Sequence, residues 1–164
     1  MDTDKWPQFY REVYRCLKPG GWIEHIEAPP VVAPAHGGII TQNSPCHVWN
    51  NFFFAAASKT GRGFEAPDLE SMSSAGFTDM KTRVQTLPIG VWPKDESFKR
   101  IGAVMQKLLC NNLDGLALRL AWDLGFGTQE MQMVFMQVRR DLQRPDNLFC
   151  IECSMAWARK PGAT

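Results

Sequence analysis

The sequence predicts an α/β fold with a small sheet, and three adjacent features carry that prediction. Apolar residues recur every three to four positions from Trp6 to Leu17, the spacing of a helix packed on an apolar surface. The turn Lys18-Pro19-Gly20-Gly21 ends this helix, because proline cannot continue it and two glycines allow a sharp reversal. A short strand follows from Trp22 to Glu27. Together these features form half of a βαβ unit whose first strand is missing.

The first half of the chain continues with a long loop and an aromatic helix. Asp4 is the expected N-cap of the first helix, and Pro7 lies near its start. The stretch from Ala28 to Pro45 is rich in proline and predicts an irregular loop. A loop of this length after the carboxyl end of a strand is typical of a binding or lid segment. A helix is expected next, from Cys46 to Ser58.

The second half of the chain predicts helices enclosed by two further strands. Each helix is recognised from an apolar stripe with a start or stop signal, and each strand from alternation or β-branched residues. In chain order we expect a short helix at 67–75, a strand at 77–87, a helix from Asp95 or Ser97 to Asn111, a helical stretch at 113–124, a helix at 129–143 capped by Thr128, and a final strand at 148–158.

The composition is that of an ordinary globular protein, with 45% hydrophobic and 21% charged residues. A length of 164 residues predicts one domain spanning 1–164. The net charge of +1 gives no electrostatic basis for binding nucleic acid or a membrane surface. Five cysteines without regular spacing indicate a reducing compartment, and no apolar run approaches the roughly 18 residues of a membrane span. We therefore expect a cytoplasmic protein.

Four segments resemble one family of enzymes. The segment REVYRCLKPGGWIEHIE is similar to the helix, turn and fifth strand of class I S-adenosylmethionine (SAM)-dependent methyltransferases. Three later segments resemble the fungal LaeA-like branch, which is associated with secondary metabolism. They are GRGFEAPDLESMSSAGFTDM, LPIGVWPKDESFKRIG and the terminal ARKP. The resemblance covers nearly the whole chain, but only the second half of such an enzyme.

The resemblance implies a truncated Rossmann-like methyltransferase fold with a small mixed sheet. The three predicted strands correspond to strands five, six and seven, with strand seven antiparallel between the other two. Residues 1–92 and 144–164 then form a partial methyltransferase core. Residues 93–143 form a helical insertion, which in related methyltransferases covers the acceptor substrate.

Strands one to four of the family have no counterpart in this chain. The glycine-rich loop that holds the methionine part of SAM and the acidic residue that holds its ribose are absent with them. We therefore expect no cofactor and no autonomous SAM binding. The spacing of the histidines and cysteines gives no metal site either, because a metal needs three or four converging ligands.

Loss of strand four would leave the outer edge of the strand at 22–27 unpaired. An open edge beside apolar surface is an aggregation hazard unless something covers it. We expect a homodimer that closes this edge by strand pairing or element exchange. The alternative is that the loop from Ala28 to Pro45 folds back over the edge.

Three residues are the candidate catalytic groups. His25 and Glu27 share one face of a strand and lie at its carboxyl end, where open α/β sheets place their ligands. Such a pair can act as general acid or base. His36 and His47 flank the long loop, and His47 is the third candidate. The alternative reading is that His25 is a satisfied polar residue and Glu27 caps a backbone group.

Seven residues are the candidate lining of an apolar substrate pocket with a few polar groups. They are Trp49, Asn50, Phe53, Trp92, Met105, Met131 and Phe135. The alternative is that they are core residues of a truncated domain. One departure from the family also concerns substrate binding. LaeA-like proteins usually carry a His-x-Tyr element before the last strand, whereas this chain has Asn147-Leu148-Phe149.

Three functions remain open at this point. The first is an enzyme that binds a hydrophobic small-molecule intermediate and catalyses a SAM-independent cyclisation, isomerisation or rearrangement. The second is a non-catalytic partner of a complete methyltransferase. The third is a fragment of a SAM-dependent methyltransferase. Because Met1 precedes a capped helix, we favour the first.

Overall fold

The computed structural model describes residues 3–35, 39–61, 63 and 66–162. The elements in chain order are a short 3-10 helix (Thr3–Lys5), α1 (Trp6–Cys16), β1 (Trp22–Glu27), β2 (Ala33–Pro34), α2 (Pro45–Thr60), α3 (Leu69–Ser74), β3 (Thr78–Ile89), α4 (Glu96–Leu124), α5 (Thr128–Leu142) and β4 (Phe149–Arg159). This is the α/β composition that the sequence predicts.

The chain divides into two compact units. The first unit contains residues 1–28, 60–85 and 153–164, and the second contains residues 29–59 and 86–152. These limits do not follow the expected boundaries of the helical insertion at 93–143. The single domain spanning 1–164 stays a prediction.

The sheet has the strand neighbours that the resemblance implies. β1 pairs antiparallel with β4, from Trp22 opposite Arg159 to Glu27 opposite Ser154, and β4 also pairs with β3. The order of strands five, seven and six is therefore confirmed. β2 pairs antiparallel with the start of β4. The two pairings with a defined register are both antiparallel, so these pairings differ from the mixed sheet that the resemblance implies.

The core of the first unit lies between helices α1 and α3 and one face of β1 and β4. The register of β1 and β4 puts Ile23 opposite Ala158 and His25 opposite Ala156, so these four residues share a face. The small alanines leave room for the large side chains of α1. The buried cluster consists of Trp6, Tyr10, Ile23, Met72, Phe77, Ala156 and Ala158. Each large member contributes about 1.5–3 kcal/mol of stability by leaving water.

Two segments that carry the family resemblance are joined in the first unit. The backbone N–H of Gly20 donates to the carbonyl of Lys160 at 2.9 Å, and the N–H of Lys160 donates to the carbonyl of Gly21 at 2.8 Å. The ammonium of Lys160 donates to the carbonyls of Tyr14 and Leu17, at 2.7 and 2.8 Å. Lys160 therefore satisfies carbonyls at the end of α1 that have no partner within the helix. The terminal ARKP segment is a helix cap.

The Ala75-Gly76-Phe77 segment has a packing role. Gly76 has a φ of +101°, and a Cβ there would lie 3.1 Å from the ring of Tyr14. Only glycine fits both constraints. The chain then turns so that Phe77 is buried with its ring edge-on to Tyr14, at 5.1 Å between centroids.

The second unit is built from helices α2, α4 and α5 with β2 and the ends of β3 and β4. Gly90 and Gly102, the two glycines of the LPIGVWPKDESFKRIG segment, meet there. The N–H of Gly90 donates to the carbonyl of Gly102 at 2.9 Å, and a Cβ on Gly102 would lie 1.9 Å from the carbonyl oxygen of Gly90. Any side chain at Gly102 would force the strand end away from α4. This third segment therefore also maintains packing.

Several expected boundaries are wrong, for identifiable reasons. α4 is one continuous helix across the expected break at residue 112, because Cys110, Leu113 and Ala117 continue its buried stripe. Asp95 is its N-cap and accepts from the N–H groups of Ser97 and Phe98. Asp4 is not the N-cap of α1, since it lies in the preceding 3-10 helix and Lys5 takes that position.

Two more boundaries differ at other elements. Thr128 is the first residue of α5, and Gly127 is the N-cap. The proline-rich loop contains the two residues of β2, Ala33 and Pro34. Among the described residues, no helix is long and apolar enough to cross a membrane.

Candidate functional site

His25 and Glu27 are brought together on β1, and a third residue joins them. His25 Nε2 lies 2.9 Å from Glu27 Oε1, and His25 Nδ1 lies 2.5 Å from the hydroxyl of Tyr10 on α1. All three residues belong to the first unit. They form a continuous hydrogen-bonded chain, the Tyr10–His25–Glu27 array.

The partners of His25 determine where its proton lies. A carboxylate only accepts hydrogen bonds, so His25 Nε2 carries the hydrogen and donates to Glu27. His25 Nδ1 then accepts from the Tyr10 hydroxyl. The two hydrogen bonds fix the orientation of the imidazole from both sides, as in hydrolytic triads where a second group orients a histidine.

The surroundings of the array hold Tyr10 in its protonated form. Tyr10 is fully buried, and this burial raises the pKa of its hydroxyl to about 12. His25 is only 8% exposed, and the ring of Trp6 lies 4.6 Å from its ring. Tyr10 is therefore a positioning residue at neutral pH rather than a proton donor.

Glu27 is the point at which the array opens outward. Its side chain is 31% exposed, whereas that of His25 is 9% exposed. Because both ring nitrogens of His25 are occupied, a substrate proton can be taken only by the Glu27 carboxylate. The array can act as a general base whose carboxylate is oriented by a buried histidine.

An unpaired polar atom lies next to the array. The indole Nε1 of Trp6 is buried and has no hydrogen-bond partner among the described residues. Buried donors normally have partners, because leaving one unpaired costs about 1–3 kcal/mol. This unpaired donor belongs to the same side chain that packs against His25.

The other candidate histidines are elsewhere in the chain. His47 lies in the first turn of α2, in the second unit, and its backbone N–H donates to the Ser44 hydroxyl at 3.1 Å. Its catalytic role stays a prediction. His36 lies outside the described residues.

Four of the seven candidate pocket residues are packed in the interior of the second unit. Trp49, Phe53, Met131 and Phe135 are each at most 2% exposed. Trp49 contacts Phe53 edge-on at 4.8 Å and Phe135 at 6.2 Å between ring centroids. These contacts are those of an aromatic core.

The other three candidate pocket residues are less buried, and two of them form structural hydrogen bonds. Asn50 binds both backbone groups of Val32, with 2.8 Å to its N–H and 2.7 Å to its carbonyl. The indole of Trp92 donates to the carbonyl of Phe149 at 3.0 Å. Met105 is half-buried on α4. Substrate binding by the seven residues stays a prediction.

A different pocket lies in the second unit, with a volume of about 330 Å³. Its polar lining is Thr41, Asn43, Ser44, Asp141, Arg144 and Asn147. Its apolar lining is Ile39, Ile40, Pro45 and Phe149. None of the candidate pocket residues contributes to it. We call it the Asp141 pocket.

Asp141 is the buried carboxyl group of this pocket. One carboxylate oxygen accepts from the side-chain amide of Asn147 at 2.8 Å, and the other accepts from the backbone N–H of Cys46 at 3.4 Å. Burial raises the pKa of the Cys46 thiol above its ordinary range, with further contributions from the Asp141 charge and from the hydrogen bond between the thiol and the Asp141 carboxylate.

The sequence contains signals for both Tyr10 and Asp141. Tyr10 is a hydroxyl-bearing residue on the apolar stripe of α1, the face that packs on the strand of His25. Asp141 is a charged residue on the apolar stripe of α5, three positions after Val138. A polar group on a stripe that must be buried needs a partner, which makes it a site candidate.

The cysteines and acidic residues form no metal centre in the described part of the chain. All five cysteines are free thiols. No cluster of three or more histidine, cysteine, aspartate or glutamate side chains there could hold a metal ion.

Comparison with known proteins finds relatives among fungal methyltransferases and secondary metabolism regulators. The methyltransferase pytC of Aspergillus terreus (strain NIH 2624) is 27% identical over 159 residues, which are 95% of this chain and 49% of pytC. The secondary metabolism regulator LAE1 of Cochliobolus heterostrophus is 29% identical over 148 residues, 85% of this chain and 47% of LAE1. The chain thus spans about half the length of these relatives.

The comparison with family models finds no match, and the comparison with solved structures finds only distant similarity. A phosphoethanolamine N-methyltransferase 2 of Haemonchus contortus has a TM-score of 0.41 and 16% identity, over 98% of this chain and 31% of that structure.

Proposed function

We propose, from its confirmed resemblance to the fungal LaeA-like methyltransferases of secondary metabolism, that this chain rearranges a hydrophobic small-molecule intermediate by proton transfer, without SAM. The reaction is a cyclisation, an isomerisation or a related rearrangement. The Tyr10–His25–Glu27 array is the observation that carries the proposal. It is an oriented acid–base group at the carboxyl end of a strand, where α/β folds bind ligands.

The proposed chemistry needs only the residues of the array. Glu27 takes a proton from the substrate, and the N–H of His25 stabilises the carboxylate before the transfer and orients it throughout. The protonated Glu27 then returns the proton to another substrate atom. The sum of the two steps is redox-neutral and consumes no co-substrate, which suits a rearrangement.

An apolar surface beside the array supports binding of a hydrophobic substrate. Phe9 is 36% exposed, and its ring lies 6.1 Å from that of His25. The ring of Trp6 lies 4.6 Å from the same imidazole, but it is buried. We propose that the substrate contacts the exposed part of Phe9 when it reaches Glu27.

The direct test uses the purified chain and the intermediates that accumulate in a fungal strain lacking its gene. We expect conversion of one intermediate in the absence of SAM, followed by mass spectrometry, and no heat of SAM binding in calorimetry. Clear SAM binding by this polypeptide alone, or conversion only when SAM is added, would contradict the proposal.

A second candidate function is methylation, with this chain as one half of the catalytic unit. The observation in its favour is that the relatives are about twice as long as the region matched. The other half would come from a further segment or from a complete methyltransferase to which this chain binds. Co-purification with a methyltransferase, and SAM-dependent activity only in that complex, would favour this function over the first.

The homodimer remains a proposal within either function. Among the described residues β1 pairs only with β4, so its outer edge has no strand partner there. Trp22 and Ile26 on β1 are about half exposed. Light scattering during gel filtration measures the mass directly, and a single copy at micromolar concentration would rule out a stable dimer.

A further inference from the structure

We propose that the Asp141 pocket is a binding site for a small molecule that has a strong hydrogen-bond donor, a protonated amine being the best match. This goes beyond the proposed proton-transfer function and does not depend on it. The pocket lies wholly within the second unit, and its volume of about 330 Å³ is at the small end of ligand sites.

The first reason is that Asp141 is buried without a cation. Asp141 is only 7% exposed. No lysine, arginine or histidine of the described chain forms an ion pair with it. Buried carboxylates are normally paired, because an unpaired charge in a protein interior is costly. A positively charged or hydrogen-bond-donating ligand would supply the partner.

The second reason is that the protein's own donors to Asp141 are all uncharged. They are the side-chain amide of Asn147 at 2.8 Å, the backbone N–H of Cys46 at 3.4 Å and the Cys46 thiol. A carboxylate offers about four acceptor positions. A position therefore remains at which a charged donor of a ligand can bind.

A neighbouring aspartate shows what full pairing looks like in the same unit. Asp114 is more exposed than Asp141, yet it lies 2.7 Å from the guanidinium of Arg139 and 2.5 Å from the amide of Gln132. The fold thus provides a cation for the carboxylate that needs it less.

The third reason is the chemistry of the remaining walls. Ile40 and Phe149 offer apolar surface, while the hydroxyls of Thr41 and Ser44 offer weak polar contacts. Arg144 also borders the pocket, but it is exposed, so water and salt screen its charge more than that of Asp141. The lining combines six polar with four apolar residues, and its buried ionisable group is a carboxyl, so it favours a ligand with a strong donor over an anion.

The test uses three probes of one shape and different charge: phenethylamine, 2-phenylethanol and 3-phenylpropionate. Calorimetric titration of the full chain should give the tightest binding for the amine, about tenfold or more tighter than for the carboxylate, with the alcohol between them. Tightest binding of the carboxylate, or no binding of any probe at 10 mM, would overturn the proposal.

Two variants and one control assign the binding to the pocket. Asp141→Asn should reduce amine binding to the level of the alcohol, whereas Asp146→Asn, an exposed carboxylate of the same turn outside the lining, should leave it unchanged. Amine binding unaffected by Asp141→Asn would contradict the assignment.

If Asp141→Asn does not fold, as judged by circular dichroism, Arg144→Gln decides the question. The exposed Arg144 side chain can be changed without loss of packing. Its removal should strengthen amine binding by about two- to fivefold and weaken carboxylate binding. No change for either probe would show that the ligands bind elsewhere.

Discussion

The candidate site residues of the two units have different surroundings: polar residues form hydrogen bonds in the first unit, and aromatic residues pack in the interior of the second. In the first unit, His25 and Glu27 lie on one face of a strand, where they bind each other and His25 also binds Tyr10. In the second unit, the aromatic residues that suggest a pocket, such as Trp49 and Phe135, fill the interior instead. A polar residue on an apolar face must find partners and so marks a site, whereas an aromatic cluster most readily buries itself.

The segments that carry the family resemblance contribute packing contacts and lie outside both candidate sites. Gly76, Gly102 and Lys160 each allow or cap a close packing contact. None of the three lies in the Tyr10–His25–Glu27 array or in the lining of the Asp141 pocket. Similarity in these segments therefore reports on a shared fold, and the chemistry has to be inferred from other residues.

The largest stability effect should come from the aromatic interior of the second unit. Phe135→Ala should lower the free energy of unfolding by about 3–5 kcal/mol, because it leaves a cavity beside Trp49. Phe54→Ala, at a residue that is 57% exposed, should change it by less than about 0.5 kcal/mol. Urea unfolding of both variants measures the difference. Equal, small effects would mean that Phe135 lines an open pocket and not a core.

A slightly smaller loss of stability is expected where Gly90, after the end of β3, meets Gly102 on α4. Gly102→Ala should cost about 3 kcal/mol, because the new methyl group would overlap the carbonyl of Gly90. Gly115→Ala on the same helix meets nothing within 4 Å and should stabilise the protein by about 0.5–1 kcal/mol. Opposite signs in thermal unfolding are the expected result, and a neutral Gly102→Ala would disprove the close approach.

The buried hydroxyl of Tyr10 makes the stability of the first unit depend on alkaline pH. Its pKa of about 12 lies above the ordinary value of 10, so the native state holds this proton more tightly than the unfolded state. The resulting stabilisation is fully present below pH 10 and is lost as pH rises towards 12, at most about 3 kcal/mol in total. Tyr10→Phe should remove this part of the pH dependence. An unchanged alkaline slope would show that the hydroxyl is not buried.

The smallest stability effect is expected from the open end of the array. Glu27→Gln keeps the shape of the side chain and an acceptor oxygen for His25, and Glu27 is partly exposed. We expect a change of less than about 1 kcal/mol in the free energy of unfolding. A larger loss would indicate that Glu27 is chiefly a structural partner of His25.

The fold is predictable from the sequence wherever local chemistry determines it. The stripe of α1, its proline-glycine stop and the strand at Trp22–Glu27 are found where expected, because each depends on neighbouring residues alone. The break expected inside α4 is wrong, since two asparagines at 111–112 weaken a helix locally while tertiary packing of Leu113 and Ala117 maintains it.

The site is predictable only in part, for a related reason. The pairing of His25 with Glu27 follows from strand periodicity, so the sequence identifies it. The contact of Tyr10 with His25 joins residues 15 apart on different elements and depends on how α1 lies over β1. The Asp141 pocket joins the loop at 39–45 to the end of α5, a separation that no local pattern reports.

The most direct test of the central claim is the rate of SAM-free conversion by Glu27→Gln, beside the matched variant Glu24→Gln on the opposite face of β1. Loss of an acid–base group should lower turnover by about 10²–10⁴-fold, whereas Glu24 is exposed away from the array and its variant should keep the wild-type rate. Unchanged turnover in Glu27→Gln, or an equal loss in both variants, would contradict the assignment of proton transfer to the Tyr10–His25–Glu27 array.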